Sequence, residues 1–165
     1  MSWVLYGVLA ERSSSGGFHL WDVRMPLYVQ SSVIDLTWSE RVGGGTRVWD
    51  TNAAGAQAIA ETERSVAAAA EAPDSVLLLP PGGADNVRMQ AARAYGLVLE
   101  GATDAAVEVL GRACRYDAKY PWERDLVARA SEIREMLVAH RLSDVLDRIA
   151  GWRATTARTI GIRLT

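Results

Sequence analysis

The pattern of apolar residues changes its period near residue 50, and this change limits the folds open to the chain. Before it, short apolar and aromatic runs alternate with serine- and glycine-rich turns, a pattern typical of antiparallel strands. After it, alanine-rich and amphipathic runs with recognisable end signals predict helices. The chain is therefore predicted to be α+β, with an N-terminal antiparallel sheet of four to five strands followed by about four to five helices.

Four runs in the first fifty residues have the composition of strands, because they are rich in β-branched and aromatic residues. They are residues 3–9, 18–24, 28–38 and 46–50, and residues 75–79 are a candidate fifth strand. Serine and glycine at 13–17, and glycine at 43–45, predict turns between strands. Short polar turns favour a meander in which strands that are neighbours in sequence pair with one another.

The helices are predicted from their caps and from apolar residues three to four apart. Asn86 is suited to cap a helix that ends near Gly101, a residue that accepts a left-handed backbone. Further helices are predicted over about 53–72, 103–116, 122–140 and 143–152. In the first of these, Ile59 and Val66 are seven residues apart, which predicts one thin apolar face packed on the sheet.

Small and apolar residues in the middle of the chain have the spacing of one tetratricopeptide repeat. They are Ala94, Gly101, Ala106, Leu110 and Ala113, and the resemblance covers about residues 90–117. A shift of 34 residues puts Glu135, His140 and Asp144 where such a repeat has small or apolar residues. Because solenoids need about three repeats to be stable, the resemblance implies a helical hairpin with repeat-like packing and not a repeat array.

Length and composition favour one globular domain over residues 1–165, with the strands in 1–50, the helices in 51–165 and a hinge at 80–83. No apolar run approaches the roughly 20 residues of a membrane span, and the N-terminus lacks the basic segment of a secretion signal. The single cysteine, Cys114, cannot form an internal disulfide. A reducing, cytoplasmic location without a membrane partner is therefore predicted.

Charge and composition do not favour nucleic-acid binding. The formal net charge is −2 and the pI is about 5.7, although residues 111–165 contain eleven basic and seven acidic residues. Lysine occurs only at position 119, beside 17 arginines, and alanine is abundant, a usage typical of a GC-rich bacterial genome. Uneven charge of this kind suits either pairing of the two parts of the chain with each other or with solvent, or a surface that contacts another protein.

Tryptophan occurs once in each predicted strand, at positions 3, 21, 38 and 49. Large aromatic side chains fill protein cores, but tryptophan is also enriched where proteins bind one another. Both interpretations stay open, since neighbouring residues of a strand point to opposite faces and the pattern does not say which face is buried. If the sheet presents a binding face, the binding residues are Trp21, Trp38, Trp49, Asp22, Asp35, Glu40 and Asp50.

No constellation of catalytic or metal-binding residues stands out. The two histidines, His19 and His140, are far apart in sequence, and Cys114 has no cysteine or histidine near it. Their spacing matches no structural zinc site. No metal and no cofactor are therefore predicted, and no catalytic residue is assigned.

These features predict a non-enzymatic, cytoplasmic protein-binding module, comparable to an immunity protein, an adaptor or an assembly factor. Its partner is predicted to be another protein, bound through an aromatic face of the sheet. The alternative is a small enzyme or small-molecule-binding protein with a pocket between the sheet and the helices. The first candidates for that pocket are His19, Asp22, Asp35 and Tyr28. A homo-oligomer that packs through the alanine-rich helix 53–72 is a third interpretation.

Overall fold

The computed structural model describes residues 3–12, 18–31, 38–45, 51–71 and 86–164. Within them, three strands precede five helices. The strands are β1 (Val4–Arg12), β2 (Phe18–Pro26) and β3 (Ser39–Gly45), and the helices are α1 (Thr51–Glu71), α2 (Val87–Leu99), α3 (Thr103–Ala113), α4 (Pro121–Val138) and α5 (Leu142–Thr159). The α+β class and the order of sheet before helices are confirmed. The predicted count of four to five strands exceeds the three that the described residues form.

The strands form an antiparallel meander in the order β1-β2-β3, as short connections favour. β1 and β2 pair over their whole length, from Val4 opposite Pro26 to Arg12 opposite Phe18. Between β2 and β3 the register shifts at Leu20 and Trp21, which marks a β-bulge. β2 is therefore the one described strand with a neighbour on both sides.

The third predicted strand, residues 28–38, is wrong where it can be compared. Leu27 and Tyr28 form a turn, and the strand begins only at Ser39. Residues 43–45 were predicted to be a turn and instead belong to β3, where their backbone pairs with Phe18, His19 and Leu20. The reason is that pairing with a strand distant in sequence outweighs the local turn preference of glycine. The predicted strands at 46–50 and 75–79, the turn at 13–17 and the hinge at 80–83 lie outside the described residues.

Side chains of β2 alternate between the two faces of the sheet. Val23 and Met25 lie on one face, in the same buried cluster as side chains of α2, α3, α4 and α5. Leu20 points to the opposite face and is also fully buried, but it lies outside that cluster. α1 packs against the sheet, mainly along β1, and makes few contacts with the other helices, so among the described elements it is the one placed on this second face. The sheet therefore lies between α1 and a bundle of four helices.

The helix ends follow the local signals of the sequence. Asn86 accepts a hydrogen bond from the backbone N–H of Arg88 at 2.8 Å, as an N-cap should. Gly101 has a φ of 79°, a left-handed conformation that favours glycine, and it ends the turn after α2. α2 and α3 form the predicted hairpin, whose contact is made by small and apolar side chains. Ala94, Ala106, Leu110 and Ala113 are all fully buried there.

The predicted orientation of α1 is wrong. Ile59 and Val66 were expected on the sheet, yet they are 62% and 61% exposed. Glu61 is buried instead, and it forms an ion pair with Arg64, which lies three residues further along the helix. Many alanines surround this one pair of large apolar residues, so several faces of α1 are apolar enough to pack on the sheet. The outward stripe of Ile59 and Val66 is left without a described partner.

Among the described residues, side chains of α5 contact the N-terminal part of the chain in at least two places. The backbone N–H of Ser31 donates to the hydroxyl of Thr156 at 3.1 Å, and Thr156 is fully buried. The guanidinium of Arg153 lies 4.9 Å from the centre of the Trp3 ring, within the range of a cation–π contact. α5 therefore contacts residues that flank β1 and β2 in the sequence.

Replacing Leu110 by alanine tests where the core lies. Leu110 lies on α3 and is fully buried in the core. Leu110→Ala is therefore expected to reduce the free energy of unfolding by about 2–5 kcal/mol. Leu146→Ala is the matched control, because Leu146 is 38% exposed on α5 and should lose far less. Urea unfolding of both variants measures the difference, and equal losses would contradict this core.

Candidate protein-binding surface

Two tryptophans of the predicted binding face contribute to the interior. Trp38 is 1% exposed and belongs to the buried cluster. Trp21 is partly buried against the same cluster, and its indole N–H donates to Oε2 of Glu11 at 3.0 Å. Trp38 therefore fills the core, which is one of the two roles that the sequence left open for the tryptophans.

Asp22, the one acidic residue of the predicted face whose side chain is described, does not lie beside Trp21. Asp22 points to the opposite side of β2, where its carboxylate pairs with the guanidinium of Arg24 at 2.9 Å. Glu40 lies in β3, opposite Asp22. Asp35, Trp49 and Asp50 lie outside the described residues. Trp21 and Asp22 thus lie on opposite faces of the sheet.

The alternative pocket is not assembled by its described candidates either. His19 and Asp22 are three residues apart on β2 and point to opposite faces. Nδ1 of His19 is buried without a hydrogen-bond partner. Tyr28 is fully buried, and this burial raises the pKa of its hydroxyl above the ordinary value. Asp35 lies outside the described residues.

Metal-binding and membrane-spanning features were sought in the same residues. Across the described ranges, no three side chains of histidine, cysteine, aspartate or glutamate lie close enough to share a metal ion. None of the described helices is both long and apolar enough to cross a bilayer.

A different surface brings exposed aromatic side chains together at the start of α4. Tyr120 is 59% exposed and Trp122 is 43% exposed. Their rings are parallel within 4°, and their centres are 6.4 Å apart. The guanidinium of Arg88, from the first turn of α2, lies 5.0 Å from the centre of the Trp122 ring. We call Arg88, Tyr120 and Trp122 the aromatic surface.

The backbone that carries the two rings is held by one buried carboxylate. Glu123 accepts hydrogen bonds from the backbone N–H groups of Lys119 at 2.7 Å and Tyr120 at 3.0 Å. Its other oxygen accepts from the hydroxyl of Tyr116 at 3.2 Å. Pro121 occupies the first turn of α4, where its missing N–H costs nothing. The aromatic pair therefore extends from a rigid helix start.

Hydrogen bonding to this carboxylate also sets its charge. The bond from the backbone of Tyr120 contributes most to holding the pKa of Glu123 below its ordinary value, with Lys119 and Tyr116 adding to the effect. Burial acts in the opposite direction and is outweighed. Glu123 is therefore ionised at neutral pH, with its oxygens already engaged by its own chain.

Two arginines lie within or beside the aromatic surface. Partial burial lowers the pKa of Arg88, but a guanidinium stays protonated at neutral pH. Its position over Trp122 supplies a cation–π contact that offsets part of this desolvation. Arg124 donates to the carbonyl of Lys119 at 3.0 Å, which places a second guanidinium beside the first turn of α4. The surface thus combines flat apolar area with donors at its edge.

Sequence reasoning missed this surface. Trp122 stands four residues before Leu126, so helical spacing assigns it to the buried face of α4. The available signal was the run Tyr120-Pro121-Trp122, which puts one aromatic residue on each side of a proline that can begin a helix. The contact with Arg88 joins two helices and has no signature within either of them.

The chain was compared with family models, curated proteins and solved structures, and none of them matches it.

The carboxylate of Glu123 makes stability depend on pH in a defined direction. Because the folded-state pKa lies below the unfolded value of about 4.3, ionised Glu123 stabilises the fold at neutral pH. This contribution is lost as the pH falls through the folded-state pKa. Glu123→Gln should therefore lower the melting temperature at pH 7, and by much less near pH 3.

Glu135→Gln provides the control for this measurement. Glu135 is exposed on the same helix and accepts one bond, from the Ser131 hydroxyl at 3.2 Å. Its replacement should change the melting temperature little at either pH. An equal loss for Glu123→Gln at pH 3 and pH 7 would show that the lost contribution is not the ionised carboxylate.

Proposed function

We propose that this chain is a non-enzymatic, cytoplasmic module that binds another protein, and that the aromatic surface is its contact. The observation that carries the proposal is the exposed, parallel pair of Tyr120 and Trp122 with the guanidinium of Arg88 over the indole. Tryptophan, tyrosine and arginine are the residue types that dominate binding energy at protein interfaces. Here one of each lies within a single small surface.

The arrangement suits binding because the aromatic side chains and their backbone are already held in place before a partner binds. Aromatic side chains have only two rotatable side-chain bonds, so fixing them in a complex costs little conformational entropy. The contact between Arg88 and Trp122 restricts the indole further, and Glu123 fixes the backbone beneath Tyr120. A partner that covers the two rings would therefore gain the free energy of burying them, because little conformational entropy of the side chains is lost in return.

Other exposed apolar residues do not combine the same features. Val138, Leu142 and Leu146 are also partly exposed where α4 meets α5. They are aliphatic, and isolated exposed aliphatic residues are common on protein surfaces. Leu146 therefore serves as an internal control, since it is apolar and helical but lies outside the aromatic surface.

Site-specific photo-cross-linking in cells of the source organism tests the proposal. Benzoylphenylalanine in place of Tyr120 keeps an aromatic group at the surface and should form one dominant adduct with another protein. The same reagent in place of Leu146 should not form that adduct. Adding Trp122→Ala to the Tyr120 probe should reduce the adduct at least tenfold, a loss equivalent to about 1.4 kcal/mol of binding.

Folding is monitored in the same variants, so that a loss of binding is not mistaken for unfolding. Because Trp122 is 43% exposed, Trp122→Ala should retain the helical circular dichroism and unfold cooperatively. A Tyr120 probe that yields no adduct with another protein, or an adduct that persists unchanged in Trp122→Ala, would contradict the proposal.

A further inference from the structure

Two exposed cationic side chains flank the aromatic pair in the sequence. Lys119 directly precedes Tyr120, and Arg124 follows Trp122 by two residues. Arg124 donates to the backbone carbonyl of Lys119 at 3.0 Å, which is a neutral acceptor. Within the described part of the chain, neither cation forms an ion pair with an acid. Because its bond draws Arg124 back toward the start of α4, both charges lie at the end of the helix that carries the rings.

The acidic side chains of the same stretch offset this charge only in part. Glu123 is 5% exposed, and its oxygens accept from the backbone of Lys119 and from the hydroxyl of Tyr116. It is therefore engaged by its own chain. Asp125 is exposed in the second turn of α4 and opposes the positive charge. Residues 115–129 contain four basic and three acidic side chains, and Arg88 of the aromatic surface adds a fifth basic one.

The two helices that carry the aromatic surface also begin there. Arg88 lies in the first turn of α2, and it contacts Trp122 in the first turn of α4. The N-terminal end of a helix has a partial positive charge, which stabilises acids and not cations. The first turn of α2 contains no acid, and that of α4 contains only Glu123. The helices therefore add to the positive potential of the basic side chains instead of opposing it.

We propose that the partner covers the aromatic surface with an acidic segment, whose carboxylates pair with Lys119 and Arg124 beside the rings. This inference rests on the proposed function, because it assigns the chemistry of the partner that the aromatic surface binds. Apolar side chains of the segment cover Tyr120 and Trp122 at the centre of the contact. The charged pairs lie at its rim, where they contribute to the association rate and to the choice of partner more than to affinity.

The proposal fixes the sign of each charge effect. At low ionic strength in lysate, Arg124→Gln should reduce the yield of the adduct with the Tyr120 photo-cross-linking probe about two- to fivefold, the range of exposed ion pairs. Asp125→Asn removes an opposing charge and should raise the yield by a similar factor. Arg124→Lys keeps the charge and should stay close to the parent. Salt at about 1 M, which screens charges beyond about 3 Å, should remove these differences.

The single lysine of the sequence permits a direct test for a carboxylate at this surface. A water-soluble carbodiimide joins a carboxylate to a primary amine in direct contact with it, forming an amide while the reagent becomes a urea. Lys119 should be linked in this way to an aspartate or glutamate side chain of the protein that forms the photo-adduct. Mass spectrometry of the linked peptides identifies both ends and separates Lys119 from the α-amino group.

Lys119→Arg is the matched control, because arginine keeps the positive charge but has no primary amine. It should lose the carbodiimide link and retain the photo-adduct. A carbodiimide link that joins Asp125 to a lysine of the partner and persists in Lys119→Arg would overturn the acidic segment. So would charge effects that are absent or of the opposite sign in folded Arg124→Gln and Asp125→Asn.

The failure of this inference is distinguishable from the failure of the proposed function. A Tyr120 probe that yields no adduct contradicts the binding role of the aromatic surface, and the acidic segment falls with it. An adduct that depends on Trp122 but not on Arg124 or Asp125 retains the binding role and overturns the acidic segment alone. Because both charged side chains are exposed, their variants should keep the parent melting temperature. If Arg124→Gln does not fold, Asp125→Asn and the carbodiimide link decide.

Discussion

The alternation of side chains along β2 decides how the rest of the chain packs. β2 is paired on both sides, and its register with β1 is regular over the whole strand. Val23 and Met25 must therefore share one face, and Leu20 must take the other. A three-stranded sheet gains independent stability only when its apolar faces are covered. The helices supply that cover on both sides, which explains why α1 is separated from the other four.

Local chemistry made the C-terminal half predictable. The capping bond of Asn86 and the left-handed Gly101 each act within a few residues, so their effects can be read from the sequence. The sheet was harder to predict because strand pairing joins distant segments. Residues 43–45 show the difference, since three glycines favour a turn locally but pair with β2 once the sheet forms.

Exposure was less predictable than secondary structure. Trp38 and Trp122 are the same residue type, yet the first is enclosed by the core and the second is at the surface. Nothing in their neighbours distinguishes them, because burial depends on what packs from elsewhere in the chain. The predicted burial of Ile59 and Val66 was wrong for the same reason. Their spacing defines a face of α1 but does not say whether that face points to the sheet or to solvent. The candidate surface could therefore be identified only after the positions of α2 and α4 relative to one another were known.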